Sequence, residues 1–210
     1  MYPSTLPPLC LITDPQRHHL PFEETIQRAV QGGVRWVQLR DKRASARALF
    51  EQARALKQRL PDDILLVINE RIDVAMAVGA DGVHLPETGL SAHEARALLG
   101  PEAIIGCSVH SAEDAIAVEQ QPIQYIQLGT IYPTDCKPGH PGTGAHFVRE
   151  VTLRVELPVM AVGGINQYNL EEVVQAGAHG VSMIGAIMQS EAPEQTSREL
   201  LSILDRAKVS

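Results

Sequence analysis

The chain has 210 residues, 44% of them hydrophobic, with 25 acidic against 18 basic side chains and a formal net charge of −7. That length suits one domain, residues 1–210, near the lower limit of an eight-stranded α/β barrel, and the acidic balance argues against nucleic acid as the main partner. No apolar run approaches a membrane span, and Met1-Tyr-Pro-Ser-Thr-Leu-Pro-Pro8 lacks the basic flank and apolar core of a signal peptide, so a cytoplasmic enzyme acting on a small molecule is expected.

Apolar, β-branched runs predict strands near Leu9–Thr13, Val34–Arg40, Ile64–Asn69, Gly82–Leu85, Ile104–Val109, Tyr125–Thr130, Pro158–Gly164 and Gly180–Ala186. Between and after them, 3.6-residue periodicity predicts helices near Phe22–Val30, Ala44–Leu60, Ile72–Val78, Ala92–Leu99, Ala112–Gln120, Ala145–Val155, Gln167–Ala176 and Pro193–Ala207. A partial internal repeat supports the count. Gln31-Gly-Gly-Val, Val78-Gly-Ala-Asp-Gly-Val and Ala176-Gly-Ala-His-Gly-Val each put a glycine at a helix end just before a strand. Strict alternation implies a parallel sheet, and eight units imply a (β/α)₈ TIM barrel. The sequence admits a homo-oligomer without specifying one. Cys10, Cys107 and Cys136 are too few and too widely spaced to indicate a disulfide framework or a zinc site.

Active sites of such barrels lie at the C-terminal ends of the strands. At the end of the second strand, Gln38-Leu-Arg-Asp-Lys42 alternates polar and apolar, so Gln38, Arg40 and Lys42 share one side and face the barrel mouth. The third strand ends in Asn69-Glu-Arg71. The sixth runs into a long Gly- and Pro-rich loop, Gly129 to Gly144, whose Thr134, Asp135 and Lys137 give it the composition of a substrate-covering lid. The seventh and eighth strands end in Val162-Gly-Gly164 and Met183-Ile-Gly185. Backbone N–H groups of Gly163, Gly164, Ile184 and Gly185 are expected to hold a phosphate there, where a Cβ would otherwise intrude.

Gln38-Leu-Arg-Asp-Lys, Ile68-Asn, Gly79-Ala-Asp-Gly-Val-His-Leu, Ile105-Gly-Cys-Ser-Val-His, Pro133-Thr-x-x-Lys and Ala161-Val-Gly-Gly-Ile-Asn, in this order and at these spacings, resemble the thiamine-phosphate synthase and TenI superfamily. The resemblance covers nearly the whole chain. It implies a thiazole phosphate ligand, contacted by Asn69, Ser108, Thr130 and Thr134 together with the polar end of the second strand.

Two activities occur in that superfamily. The synthase joins an aminopyrimidine diphosphate to a thiazole phosphate, and its leaving diphosphate requires Mg²⁺ held by carboxylates. The pattern there has an Asp after the third-strand Asn and another closing the segment after the fourth strand. This chain has Glu70 at the first place and Gly89 at the second, with Glu87 two residues earlier, so Glu70 is the surviving ligand if it is a synthase. Cys136 and Gly185 also stand where the synthase pattern has a hydroxyl.

Leu85-Pro, Ser108-Val-His-Ser111 and Thr134-Asp-Cys-Lys137 instead look like TenI, a thiazole tautomerase that aromatises a thiazole carboxylate phosphate without metal. The tautomerase without a cofactor is therefore the expected activity, the Mg²⁺-dependent synthase the alternative, and a silent thiazole phosphate binding or regulatory protein a third class. Proton transfer between ring carbons needs a base and a cation. The family's catalytic histidine falls on Thr130 here. The candidates become His140 in the lid loop, then His110 beyond the fifth strand, then Cys136. Lys137 and Arg40 are the cations. His84 is open to two readings, site or core. His18, His19, His93, His146 and His179 read as surface residues.

Overall fold

A computed structural model describes residues 6–208. The N-terminal segment read above for a signal lies largely outside them. Eight parallel strands, β1 (Leu9–Ile12), β2 (Trp36–Leu39), β3 (Leu65–Asn69), β4 (Gly82–Leu85), β5 (Ile104–Val109), β6 (Tyr125–Leu128), β7 (Val159–Val162) and β8 (Gly180–Met183), close in sequence order into a barrel. Around them run α1 (Phe22–Gln31), α2 (Ala46–Arg59), α3 (Ile72–Val78), α4 (Ala92–Leu99), α5 (Ala112–Glu119), α6 (Ala145–Thr152), α7 (Leu170–Gln175), α8 (Gly185–Met188) and α9 (Pro193–Ala207).

The sequence expectation of a (β/α)₈ barrel holds, with two corrections. Strands 2, 6, 7 and 8 stop short of the expected Arg40, Thr130, Gly164 and Ala186, because ladder pairing ends near Gln38–Leu39, Leu128, Val162 and Met183 and the chain turns out into the mouth. There is also an additional helix among the described residues: the stretch assigned to the end of the eighth strand contains α8, a single turn too short to show periodicity.

Local signals explain where the helices begin and end. The side chains of Ser45, Ser91 and Ser111 accept the N–H groups of Ala48, Glu94 and Asp114, capping α2, α4 and α5, and Ser91 with Glu94 completes a capping box. At the end of α3, Gly79 adopts φ 62°, the left-handed cap that any Cβ would disfavour.

The apolar side chains divide into two cores. The larger lies between strands and helices and includes Leu11, Ile26, Leu39, Ile68, Ile105, Leu128, Ala161 and Leu204. The smaller fills the barrel interior with Cys10, Ile12, Trp36, Leu65, Val67, Ile104, Tyr125 and Met160. Alternation along each strand, read through the parallel register, stacks the interior in layers drawn from alternate strands. One layer comprises Trp36, Gly82, Tyr125 and Gly180. Two aromatic rings, edge to face at 4.7 Å between centroids, fill the space that two glycines leave. The next layer toward the mouth comprises Cys10, Val67, Gly106 and Met160. Above it, from β2, β4, β6 and β8, come Gln38, His84, Gln127 and Ser182, all polar and none more than 4% exposed.

Gly106 belongs to this packing. A Cβ built on it would lie 2.0 Å from the Tyr125 ring, which occupies the space over that residue. The ring cannot retreat, being wedged against Trp36 and tied through its hydroxyl to His84. Gly106→Ala is therefore expected to destabilise the protein by about 3 kcal/mol, the upper range for overpacking a tight core. Urea denaturation of the two proteins measures the difference.

Candidate active site

A cavity of about 910 Å³ opens at the C-terminal ends of the strands, within the range that holds small-molecule ligands. The polar layer forms its floor. Gln127 Nε2 donates both to Gln38 Oε1 at 2.7 Å and to Ser182 Oγ at 3.1 Å, and Gln38 Nε2 donates to Asn69 Oδ1 at 3.0 Å. The chain of amides thus spans β8, β6, β2 and β3. Beside it, His84 Nε2 meets Ser108 Oγ at 2.8 Å and Nδ1 meets the Tyr125 hydroxyl at 3.1 Å. Burial disfavours the charged imidazole and pushes its pKa down to about 3, so His84 is neutral and acts by hydrogen bonding. Burial likewise raises the Cys10 and Tyr125 pKa values, leaving the floor uncharged.

The rim is cationic. Arg17, Arg40, Lys42 and Lys137 all line the cavity, from the loops after β1, β2 and β6. Asp14 lies 3.4 Å from Arg17 and 4.0 Å from Arg40, while Lys42 and Lys137 have no carboxylate partner among the described residues. Arg17 also donates to the backbone carbonyl of Asp135 at 2.9 Å, fastening the loop after β1 to the loop after β6.

Gly163, Gly164, Ile184 and Gly185, at the ends of β7 and β8, line the same cavity. Ile184 precedes α8 with no side-chain cap, so the first N–H groups of that turn are left for a ligand. A Cβ on Gly164 would come within 2.6 Å of the carbonyl oxygens of Tyr132 and Pro133, and its φ is +66°, so packing by itself already requires glycine there. Gly164 seats the base of the sixth loop. At Gly185, a Cβ would meet only the end of the Gln189 side chain.

Three carboxylates, Glu70, Glu87 and Asp135, also line the cavity. Glu70 is the one non-glycine residue of positive φ (66°) among the described residues, a turn held by its N–H donating to the His84 carbonyl at 2.8 Å. Such a conformation costs on the order of 1 kcal/mol and is typical of functional sites.

Most expected site residues gather here: Gln38, Arg40, Lys42, Asn69, Ser108, His110, Thr130, Thr134 and Lys137 all line the one cavity. His140, the favoured base, does not. It is exposed on the loop and accepts the Gly142 N–H at 3.0 Å, because the Gly- and Pro-rich segment turns away from the mouth there. His110 lines the cavity with Nδ1 on the Gly129 carbonyl, leaving Nε2. His84, left open between site and core, is both. Gln127, Ser182 and Arg17 were missed. The first two were findable by the reasoning used for Gln38, a polar residue at an inward position of an apolar strand.

Comparison with known proteins agrees with this geometry. The family described as thiamine monophosphate synthase matches residues 9–187. The chain is 39% identical to the thiamine-phosphate synthase of Vibrio campbellii over 93% of this chain and 97% of that protein. It is 41% identical to the thiamine-phosphate synthase of Shouchella clausii over 88% of this chain and 89% of the other. Among solved structures, thiamine phosphate pyrophosphorylase from Pyrococcus furiosus superposes with a TM-score of 0.86 at 34% identity, covering 95% of this chain and 96% of that one.

The neutral floor makes stability depend on pH. The unfolded chain binds a proton on His84 below its ordinary pKa of 6.5, whereas the folded protein resists it until about 3. Stability from this residue is therefore complete above 6.5 and is lost as pH falls, by about 1.4 kcal/mol per pH unit across that window. Melting temperatures followed from pH 7 to pH 4 should drop steeply in the parent and less steeply in His84→Gln.

Proposed function

We propose that this chain, which belongs to the thiamine monophosphate synthase family, is a thiamine-phosphate synthase joining an aminopyrimidine diphosphate to a thiazole phosphate. The observation that carries the reading is the distribution of charge around one cavity: a neutral hydrogen-bonding floor, four cations at the rim, and the carboxylates of Glu70, Glu87 and Asp135 among them. A heteroaromatic ring with an amino substituent suits the floor. A diphosphate suits the rim, where Arg40, Lys42 and Lys137 supply charge-assisted donors. The thiazole phosphate suits Gly163, Ile184 and Gly185, where α8 begins without a side-chain cap.

Mg²⁺ fits the same arrangement. Among the described residues no three His, Cys, Asp or Glu side chains gather into a metal site. Mg²⁺ bound with a diphosphate needs only one or two carboxylates besides the phosphate oxygens, and Glu70 and Glu87 would provide them. It would neutralise charge developing on the leaving diphosphate. The protein's own groups do the rest. The floor fixes the pyrimidine face, the arginines and lysines stabilise the departing diphosphate, and the loop after β6 covers the site as the thiazole takes the place of the diphosphate.

The tautomerase is a second reading, favoured by His110 in the cavity and by Gly89, which offers no carboxylate after β4. One assay separates them. The synthase consumes both substrates, releases diphosphate and stops when EDTA is added; a tautomerase would convert its single substrate with or without EDTA. The expected result is Mg²⁺-dependent diphosphate release. Consumption of one substrate alone, indifferent to EDTA, would overturn the synthase.

Arg40 and Lys137 should fail differently. Arg40 follows directly on β2 and donates its backbone N–H to Thr13 Oγ1 at 2.9 Å, so it is preorganised, whereas Lys137 must be ordered with its loop. Steady-state kinetics should show Arg40→Ala raising KM for the pyrimidine substrate about 10-fold or more, and Lys137→Ala lowering kcat by about 10- to 100-fold. Parental values for both variants would remove the rim from the mechanism.

A further inference from the structure

The floor of the cavity holds more information than the proposed reaction uses. Gln127 is 4% exposed, yet it lines the cavity. Both hydrogens of its side-chain nitrogen are committed, one to Gln38 Oε1 and one to Ser182 Oγ. Turning the Gln127 amide over would bring its oxygen against Gln38 Oε1, two acceptors with no hydrogen between them.

With both N–H groups committed, Gln127 Oε1 takes no protein donor, and it is not among the buried polar atoms left without a partner, so it reaches the cavity. The same chain orients the next two amides. Gln38 Oε1 faces Gln127, its nitrogen faces Asn69 Oδ1, and Asn69 Nδ2 is left as a donor. The floor therefore offers one fixed acceptor and fixed donors in a water-poor setting, where a mismatched partner leaves buried groups unpaired.

We propose that Gln127 determines specificity for the amino-substituted ring: its Oε1 accepts the exocyclic amino group, and its N–H on Gln38 Oε1 turns the Gln38 nitrogen to Asn69 Oδ1, which leaves Asn69 Nδ2 as the donor toward the ring nitrogen beside it. This rests on the synthase reading. An oxo ring presents the reverse pattern, a carbonyl oxygen against Gln127 Oε1 and an N–H against the donors, and is rejected.

The test is calorimetric binding to the intact protein in the presence of Mg²⁺, with three probes: the aminopyrimidine diphosphate, its analogue with oxygen replacing the exocyclic amino group, and inorganic diphosphate. The parent should bind the amino compound about 10- to 100-fold more tightly than the oxo analogue. Gln127→Met, similar in volume and without donors or a carbonyl, should lose about that factor for the amino compound and bind the two analogues almost equally, while inorganic diphosphate binds as before. A merely structural role would weaken all three alike. Unchanged preference in Gln127→Met overturns the inference and leaves the synthase standing. A parent that binds the amino compound no better than inorganic diphosphate overturns the synthase reading, and the inference with it. Should Gln127→Met not fold, Ser182→Ala takes its place, since it removes one of the two acceptors that hold Gln127. A narrowed preference supports the inference and an unchanged one overturns it.

Discussion

Polar side chains at inward positions of a closed barrel have little water to turn to, and the layer of Gln38, His84, Gln127 and Ser182 is arranged around that constraint. An unsatisfied group there would cost about 1–3 kcal/mol, so each must find its partner on another strand. Three amides and a hydroxyl do so along one chain from β8 to β3, and His84 does so between Ser108 and Tyr125. Everything beneath adapts to this. The Tyr125 ring stands where its hydroxyl can reach His84, Gly106 makes room for the ring, and Trp36 packs against its face or edge across the space that glycines vacate.

The layer also divides the molecule by chemistry. Below it the interior is apolar and filled; above it the strands end and charge begins. The amides of the floor are thereby mounted on strands, whose positions are fixed by ladder hydrogen bonds. The cations of the rim are mounted chiefly on loops, where small displacements matter less to a point charge than to an amide. The segment after β4, with Pro86, Glu87 and Gly89, departs from the synthase pattern and still delivers Glu87 to the cavity.

How much of this is legible in the sequence depends on the range of the interaction. The barrel is legible because eight apolar runs and eight periodic segments each declare themselves locally, and because glycines punctuate the turns between them. Gln38 is legible for the same reason. Its partner Gln127 lies 89 residues away, and nothing local marks the pair. Loop geometry is harder still. The composition of the segment from Gly129 to Gly144 suggests a lid, and Thr134 and Lys137 do face the cavity, but whether His140 does as well depends on turns at Gly139 and Gly142 that composition does not specify. Gly164 carries the plainest lesson: its glycine is required by the carbonyls of Tyr132 and Pro133, a contact between loops that no local pattern shows.

The rim described by Arg17, Arg40, Lys42 and Lys137 stands on a protein whose net charge is −7. The body of the molecule therefore repels anions while its mouth draws them, and low-dielectric walls concentrate the field at the opening. For the proposed diphosphate substrate, such a field would favour approach at one face. That capture would be sensitive to ionic strength, since the attraction decays over about 8 Å at physiological salt, whereas discrimination by uncharged amides at the barrel floor would not be.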